Sequence, residues 1–282
     1  MSHAFRFGLA AAPFGLGTTG FTSAHDWVQT ARRAEDLGFS TLLVPDGPSR
    51  FSAFQVLAAA AAVTEHLRLG TLVVPVPMHA PGVIAWETAS LDHFSGGRFE
   101  LGIGAGHPAN ASGSEQLGMT YPSAAERLRL VATTIDEVTR LAEQAPVRPV
   151  QQPRPPIMVA GSGDRLLALA ARQADIIHLA VATEGALKEK VALIRHSAGE
   201  RFERIKLAVS IFYIGGGDGP EWLVRYGIRP DVEHISAIRT DDTGEVVDRL
   251  RRWREELGIS YFVAGPSTLE AIAPVIDRLA GT

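Results

Sequence analysis

Glycine recurs at every second position where one short apolar segment of the chain ends. In the stretch LDHFSGGRFELGIGAG, residues 91–106, Gly102, Gly104 and Gly106 leave one side of the backbone without side chains. Such bare backbone would allow a flat ring or a phosphate to approach the main chain closely. The same spacing would also suit tight packing of a strand against its neighbour, so the glycines alone leave both interpretations open.

A second glycine-rich segment favours phosphate binding. In PPIMVAGSGDRLLALAARQAD, an apolar strand is followed by a helix that is predicted to begin at Asp164. The connection consists of Ala160, Gly161, Ser162 and Gly163. Free N–H groups and the positive end of the helix dipole would face this loop, which is a geometry that binds phosphate. An ordinary strand-to-helix connection has the same composition, and that interpretation also stays open.

Three histidines, His79, His107 and His178, lie at or just after predicted strand ends. An imidazole at such a position could donate or accept a proton during catalysis. Asp46 also follows a predicted strand, and these four side chains together could form a metal site. Because the sequence contains no H-x-H or H-E-x-x-H pair, a metal site is disfavoured. Proton transfer is the preferred role of the histidines.

The elements that must position these residues alternate between strands and helices. Ser23 with Asp26 predicts the start of a helix that ends at Gly38, and a second amphipathic helix ends at Gly258. A continuous apolar run follows each helix at once, as expected for a strand covered on both faces. Candidate strands cover residues 5–10, 40–45, 67–74, 98–104, 156–160, 175–180, 206–214 and 259–264.

Eight strand–helix units predict a single (β/α)8 TIM barrel domain spanning residues 1–282, since this fold usually has about 250 residues. An open, doubly wound sheet is the alternative, but the dinucleotide-binding glycine pattern is missing near the first strand. Irregular loops are expected after strand four, at 106–122, and after strand seven, at 215–242. Prolines in the segment 74–81 predict a bulge or turn after strand three. Barrel enzymes carry their active sites at these strand C-termini.

Composition limits the class of partner. Lysine and arginine (27) nearly balance aspartate and glutamate (31), and the net charge of -4 is spread along the chain without blocks. This argues against nucleic acid or an anionic membrane surface and favours a small-molecule substrate. The absence of cysteine excludes disulfides, thiolate zinc sites, iron–sulfur clusters and a cysteine nucleophile. No stretch reaches the roughly 18 apolar residues of a spanning helix, so a soluble cytoplasmic protein is expected.

The segment RLGTLVVPVPMHAPGVIAWETASLDHFSGGRFELGIGAG resembles the signature of the bacterial luciferase-like monooxygenase superfamily. In that family, a strand, a helix ending in L-D-x-x-S-G-G-R and a G-x-G-x-G strand end follow in this order. ARRAEDLGFSTLLVPD, RPPIMVAGSGDRLLALAARQADII and EVVDRLRRWREELGISYFV are similar to the same family, so the resemblance covers most of the chain. It is closest to the branch of probable deazaflavin-dependent oxidoreductases of actinobacteria.

The resemblance implies a barrel that binds coenzyme F420, or alternatively FMN, at the strand C-termini. The ring would lie against the bulge at residues 73–75, which in the deazaflavin branch often contains a non-prolyl cis peptide, and the phosphate would lie on the Gly-Ser-Gly loop. Asn110 matches an asparagine of the deazaflavin sugar dehydrogenases. The implied cofactor contacts are Asp46, Val73, Val74, Pro75, Gly104, Gly106, Asn110, Ala160, Gly161, Ser162 and Gly163.

The chain departs from the family pattern where acid–base groups are expected. Many relatives carry Asp-His after strand two, but this chain has Asp46-Gly47, so that histidine is absent. His107 stands where the sugar dehydrogenases have a glutamate, and His79 stands where many relatives have an arginine. We therefore expect His107 to be the proton donor and His79 to be the second catalytic candidate.

The expected function is hydride transfer between F420 and a small organic substrate. An FMN-dependent two-component monooxygenase, served by a separate reductase, is the alternative, and a barrel that binds a cofactor without turnover is a third possibility. A sugar-phosphate isomerase or aldolase is disfavoured because no Lys or Glu stands at a predicted strand end. A homodimer is expected because members of the family are commonly dimers.

Overall fold

The protein is described here by a computed structural model. It describes residues 3–11, 23–48, 51–108, 111–144, 146, 148–225, 227–229 and 232–282. Its central feature in these ranges is a closed sheet of eight parallel strands. The strands are β1 (Arg6–Ala10), β2 (Thr41–Val44), β3 (Arg68–Thr71), β4 (Phe99–Gly104), β5 (Ile157–Gly161), β6 (Ile176–Leu179), β7 (Lys206–Ile211) and β8 (Ile259–Ala264).

Backbone pairing joins the strands in the order β3-β2-β1-β8-β7-β6-β5-β4, and pairing of β3 with β4 closes the sheet into a barrel. The helices are α1 (Ala24–Asp36), α2 (Ala53–Ala61), α3 (Pro81–Phe94), α4 (Ala111–Gln116), α5 (Ala124–Gln144), α6 (Asp164–Gln173), α7 (Glu184–Ala198), α8 (Trp222–Arg225), α9 (Thr243–Leu257) and α10 (Leu269–Leu279). The predicted (β/α)8 barrel is therefore confirmed. None of the helices in the described ranges is long and apolar enough to cross a membrane.

Local sequence signals fix the ends of the helices as predicted. The hydroxyl of Ser23 accepts the N–H of Asp26 at 3.1 Å and caps the start of α1. Gly38 follows α1 with φ +76°, and Gly258 ends α9 with φ +76° in the left-handed conformation that favours glycine. Each glycine turns the chain directly into a barrel strand.

The predicted strand 67–74 is interrupted. β3 ends at Thr71, the peptide bond between Leu72 and Val73 is cis, and Val74–Pro75 then pairs with Ile103 and Gly104 of β4. A 3-10 turn over Val76–Met78 follows, because prolines cannot continue a ladder. The predicted bulge after strand three is confirmed, and it contains the non-prolyl cis bond.

The predicted strand 206–214 was too long. β7 ends at Ile211, and Tyr213–Ile214 pairs with Ala237–Ile238 in a separate two-stranded sheet, because the Phe212 N–H donates to the carbonyl of Ser236 at 2.7 Å. The loops after β4 and β7, which were expected to be irregular, contain the short helices α4 and α8. Both loops still leave the barrel at its C-terminal end.

Charged side chains fill the N-terminal end of the barrel. The buried carboxylate of Glu100 accepts a hydrogen bond from Arg6 at 2.8 Å and a second one from Arg68. Burial alone would raise the pKa of Glu100, but the two guanidinium groups outweigh burial and lower it. The Arg6 guanidinium lies over the Tyr261 ring, with its Cζ atom 4.5 Å from the ring centroid. This end of the barrel is therefore closed by ionic contacts.

The S-G-G-R segment, which is part of the family resemblance, stabilises the contacts between neighbouring elements. The Arg98 guanidinium donates to the carbonyl oxygens of Ala61 at 2.9 Å and Leu67 at 2.8 Å, which lie between α2 and β3. Asp92, in the same motif, accepts the backbone N–H of Gln151 at 2.9 Å and its side-chain amide at 2.6 Å. These contacts tie α3 to the elements on either side of it.

Gly102 allows β3 and β4 to meet where β3 ends. The Thr71 hydroxyl donates to the Gly102 carbonyl at 2.7 Å and accepts the Gly102 N–H at 2.8 Å. A Cβ atom on Gly102 would overlap the carbonyl oxygen of Thr71. Close packing, one of the two interpretations of the glycine spacing, is therefore correct at this position.

We predict that Gly102→Ala lowers the free energy of unfolding by at least about 2 kcal/mol, since overpacking a rigid backbone contact costs this much. Gly82→Ala is the matched control, because nothing lies within 4 Å of a Cβ atom at this position in α3. The control should be neutral or stabilising by up to about 1 kcal/mol. Urea denaturation of both variants checks this, and equal stabilities would contradict the role assigned to Gly102.

Candidate functional site

A cavity of about 650 Å³ opens at the C-terminal end of the barrel. Its walls come from the segments that follow β2, β4, β5 and β6, from the bulge after β3, and from α4. Parallel strands deliver their C-terminal ends to one side of a barrel, so residues distant in sequence meet there. The volume lies in the range of small-molecule and cofactor sites, about 300–1,000 Å³.

Most of the residues expected to contact a cofactor line this cavity. They are Asp46, Val73, Pro75, Gly104, Gly106, Ala160, Gly161, Ser162 and Gly163, and the catalytic candidate His107 lies with them. Val74 does not join them, because its side chain is fully buried in the hydrophobic core. His79 lies outside the lining but contacts Asp46. Asn110 falls outside the described residues.

On the β4 side, glycines without side chains form the cavity wall. A Cβ atom at Gly104 would lie 2.9 Å from the Val73 side chain, and one at Gly106 would lie 2.7 Å from the Tyr121 hydroxyl. Gly106 also has φ +72°, a conformation that side chains disfavour. Any other residue at these positions would push against the wall, so glycine preserves the cavity's shape.

The start of α6 forms a second wall with free hydrogen-bond donors. Gly163 is the N-cap residue, and no side chain caps the first turn in the described structure. A Cβ atom on Gly163 would have no heavy atom within 4 Å. The first N–H groups of a helix carry partial positive charge and bind anions. The end of α6 next to the cavity is therefore suited to a phosphate.

Asp46 links three elements at the rim. Its Oδ1 accepts the N–H of Ala53 at 3.0 Å, its Oδ2 lies 2.7 Å from His79 Nε2, and its own N–H donates to Val73 O at 3.2 Å. Burial alone would raise the pKa of Asp46, but hydrogen bonds from His79 and Ala53 outweigh burial and lower it. The carboxylate is therefore ionised at neutral pH.

His107 is exposed at the cavity after β4. Its carbonyl accepts the hydroxyl of Tyr121 at 2.8 Å, and the Arg127 guanidinium lies 4.9 Å from the Tyr121 ring centroid. These contacts hold the backbone of His107, which lines the cavity. Of the described residues in the lining, Asp46 and His107 are the ones with titratable side chains.

The structure separates His178 from the other two candidate histidines. His178 is buried, and its Nε2 lies 2.8 Å from the hydroxyl of Ser210 on β7. Burial lowers its pKa to about 4, so the imidazole is neutral at pH 7. Among the described residues, no three His, Asp or Glu side chains come together in a way that could hold a metal ion.

Sequence reasoning missed the contribution of α4. Ser112, Gly113 and Gln116 from this helix line the cavity, as do Met78 and Leu166. The segment was expected to be irregular because it lacks an apolar stripe. Ser112 and Gln116 stand four residues apart, which places both on one face of a helix, and this spacing was the available signal.

Comparison with known families gives a match over most of the chain. Residues 5–260 match the sequence model of the luciferase-like monooxygenase family. The match includes every element that lines the cavity.

Solved structures with the same fold include enzymes with different cofactors. The chain is 18% identical to the coenzyme F420-dependent tetrahydromethanopterin reductase of Methanopyrus kandleri, covering 96% of this chain and 98% of that one with TM-score 0.76. The chain is also 18% identical to an F420-dependent secondary alcohol dehydrogenase in complex with an F420–acetone adduct. That match covers 98% of this chain and 99% of that one, with TM-score 0.76. The oxygenating constituent of 3,6-diketocamphane monooxygenase from Pseudomonas putida, in complex with FMN, is 16% identical. That match covers 99% of this chain and 98% of that one, with TM-score 0.75.

We predict that His178 makes the protein less stable in acid. The unfolded chain binds a proton near pH 6.5 and the folded one only near pH 4, so folding loses stability as the pH falls between these values. The loss should reach about 3 kcal/mol, and His178→Gln should remove it.

Urea denaturation at pH 7.5 and pH 4.5 measures this difference. The exposed His93→Gln is the matched control and should keep the wild-type pH dependence. An equally steep loss of stability in His178→Gln would show that another group causes it.

Proposed function

Because the chain belongs to the luciferase-like monooxygenase family, we propose that it transfers a hydride between coenzyme F420, bound in this cavity, and a small organic substrate. The observation that carries the proposal is that the uncapped start of α6 and the glycine-thinned wall of β4 border one cavity of about 650 Å³. An anion-binding end and a flat, apolar wall are what a phosphorylated ring system requires.

The phosphate would be held by backbone rather than by basic side chains. No lysine or arginine occurs among the described residues of the lining, so the N–H groups around Ser162 and Gly163 must supply the contact. Lys190, the nearby cation, pairs with Asp164 at 2.5 Å. Backbone donors bind a phosphate through direction and the helix dipole together.

The ring would lie against apolar side chains of the bulge. Leu72, Val73 and Pro75 form one wall, Met78 and Leu166 add to the apolar lining, and these side chains would exclude water from the reacting face. Bound reduced deazaflavin supplies a hydride, whereas reduced flavin supplies a hydride or reacts with oxygen. The chain's own contribution is to orient ring and substrate and to handle the accompanying proton.

His107 would supply or accept that proton. His107 lines the cavity, and the hydrogen bond from Tyr121 to its carbonyl fixes the backbone from which its side chain projects. Geometry comes before acidity in choosing a general acid, and His107 is the described histidine in the cavity lining.

An FMN-dependent monooxygenase served by a separate reductase is the second candidate. A relative with the same fold binds FMN, and the phosphate-binding start of α6 would accept either cofactor. A barrel that binds a cofactor without turnover is the remaining candidate. Direct binding measurements separate the first two, and turnover by the loaded protein separates them from the third.

We predict that F420 binds with micromolar affinity or better and that FMN binds at least about tenfold more weakly. Gly163→Asp should weaken F420 binding at least tenfold, because a carboxylate would stand beside the phosphate. The fold should tolerate this change, since the site is open and aspartate is a favourable N-cap residue. Gly161 is less suitable, because a Cβ atom there would lie 2.6 Å from a Leu166 methyl group.

Fluorescence titration of both cofactors measures these affinities. Gly163→Asn is the matched control, with the same shape and capping ability but no charge, and should weaken F420 binding by less than Gly163→Asp does. Equal weakening by Asp and Asn would indicate a steric effect, and unchanged affinity in both would place the phosphate elsewhere. Tighter binding of FMN than of F420 would favour the second candidate.

The proposal includes a homodimer formed through α3. This helix exposes Val83, Trp86 and Phe94, with Trp86 59% and Phe94 81% accessible. The neighbouring α2 carries no charged residue and exposes only small or uncharged side chains on its outer face. Large exposed apolar patches mark interaction surfaces, and a helix can pair with its own copy about a two-fold axis.

We predict that Trp86→Glu converts the dimer into a monomer at micromolar concentration, because a carboxylate would be buried at the centre of the interface. Val232→Glu is the control, since Val232 is also exposed, at 47%, but lies outside α3. Sedimentation equilibrium measures the association state. A wild-type monomer, or a dimer unchanged by Trp86→Glu, would refute this part of the proposal.

A further inference from the structure

Asp46 and His79 form an ion-pair contact between two segments that are 33 residues apart. The carboxylate is nearly buried, with 5% of its side chain exposed, whereas the imidazole is 28% exposed. A buried carboxylate that contacts one ring nitrogen fixes the orientation of a histidine and leaves the second nitrogen for another partner. The contact therefore has the arrangement of an oriented acid–base pair.

The pair is anchored to the cavity from both sides. Asp46 lines the cavity and is fixed by the Ala53 N–H on its Oδ1 and by its own N–H on Val73 O. His79 directly follows the 3-10 turn that ends at Met78, which also lines the cavity. A change in the charge of the pair would therefore change the electrostatic potential at the cavity wall against which a ring would lie.

Resting on the proposed function, we propose that Asp46 and His79 form the proton-exchange site of the cavity. His79 takes up a proton from solvent, forming a ring N–H bond, and releases it again. Asp46 presents the resulting change of charge to the bound ligand. With a proton on His79 the pair is neutral, and without it the pair carries one negative charge. His79 is a positioning residue in this scheme, because it acts through Asp46.

The charges around the pair favour this role. Among the described residues, Asp46 is the charged group within ion-pair distance of His79. Hydrogen bonds keep the pKa of Asp46 lowered despite its burial, so the carboxylate stays ionised beside the ring. His178 is excluded as the exchange site, because burial lowers its pKa to about 4 and it lies outside the lining.

A negatively charged cofactor should therefore draw a proton into the pair when it binds. An anion placed near Asp46 raises the proton affinity of its partner, and linkage requires that binding and proton uptake reinforce each other. We predict net proton uptake when F420 binds, and we expect this uptake to depend on the ring of His79. The dissociation constant of F420 should then depend more strongly on pH than in a variant whose side chain at position 79 cannot bind a proton.

Calorimetry of F420 binding in Bis-Tris and in Tris buffer, which differ in their heat of protonation and contain no phosphate, measures this uptake from the difference in heat. His79→Gln can still donate to Asp46 but cannot titrate, so it should bind F420 without the additional proton. His79→Leu removes both properties and should also raise the pKa of Asp46, measured by carboxyl carbon NMR, because only backbone hydrogen bonds then oppose the effect of burial. His93→Gln, an exposed histidine on α3, should retain the full uptake.

Three results would overturn the inference. F420 binding with the same proton uptake in His79→Gln would leave the proposed function intact and remove the pair from it. Loss of uptake in His107→Gln instead would assign the exchange to His107. If neither F420 nor FMN binds, the proposed function fails. In the ligand-free protein, Asp46→Asn should then still change the nitrogen NMR signature of the His79 tautomer, and an unchanged signature would refute the pair itself.

Discussion

The contact between Thr71 and Gly102 is where closure of the barrel and formation of the cavity depend on the same atoms. β3 and β4 stand at the two ends of the strand order, and their pairing closes the sheet; β3 ends at Thr71, before the C-terminal end of the barrel is reached. The threonine hydroxyl replaces the missing ladder by bonding both the N–H and the carbonyl of Gly102. The chain then leaves the sheet, forms the bulge and returns to β4 at Val74. Without a glycine at position 102 these two backbones could not approach, and the cavity wall would have no fixed position.

The two ends of the barrel use opposite solutions for their interior. At the N-terminal end, Glu100 and two arginines fill the space, and burial raises the pKa of the adjacent Tyr261. At the C-terminal end, glycines and alanines replace large side chains, and the space stays open. Breaking a buried ion pair leaves an uncompensated charge, which is strongly destabilising. The ionic contacts at the N-terminal end therefore stabilise a barrel whose C-terminal end has fewer large buried side chains.

The barrel was predictable because its signals are local. Apolar runs, the cap at Ser23 and the turns at Gly38 and Gly258 each depend on residues close in sequence. The cap and the turns are found where expected, and the apolar runs gave the eight strands, although two of those were predicted too long. The glycine-rich ends of β4 and β5 were also placed at one cavity by the rule that parallel strands end together. Whether that cavity receives a cofactor remains a prediction.

What the sequence did not reveal depends on long-range contacts. The spacing of the glycines could not show that Thr71 packs on Gly102, since the two positions are 31 residues apart. Val73 and Val74 are adjacent and chemically alike, yet only the first lines the cavity, because the bulge changes which side chain faces inward. The contact between Asp46 and His79 likewise requires the turn after Val74–Pro75, whose path no sequence periodicity describes.

The hydrogen bonds of Arg98 have a consequence for how relatives of this protein are recognised. The segment that most clearly marks the family holds helices together and touches no part of the cavity. Finding this segment in another protein sequence therefore indicates the same barrel fold but does not indicate which reaction is catalysed. A homologue in which every residue lining the cavity had been substituted would still carry the same motif. The reaction of a homologue must therefore be inferred from its cavity residues and not from the motif.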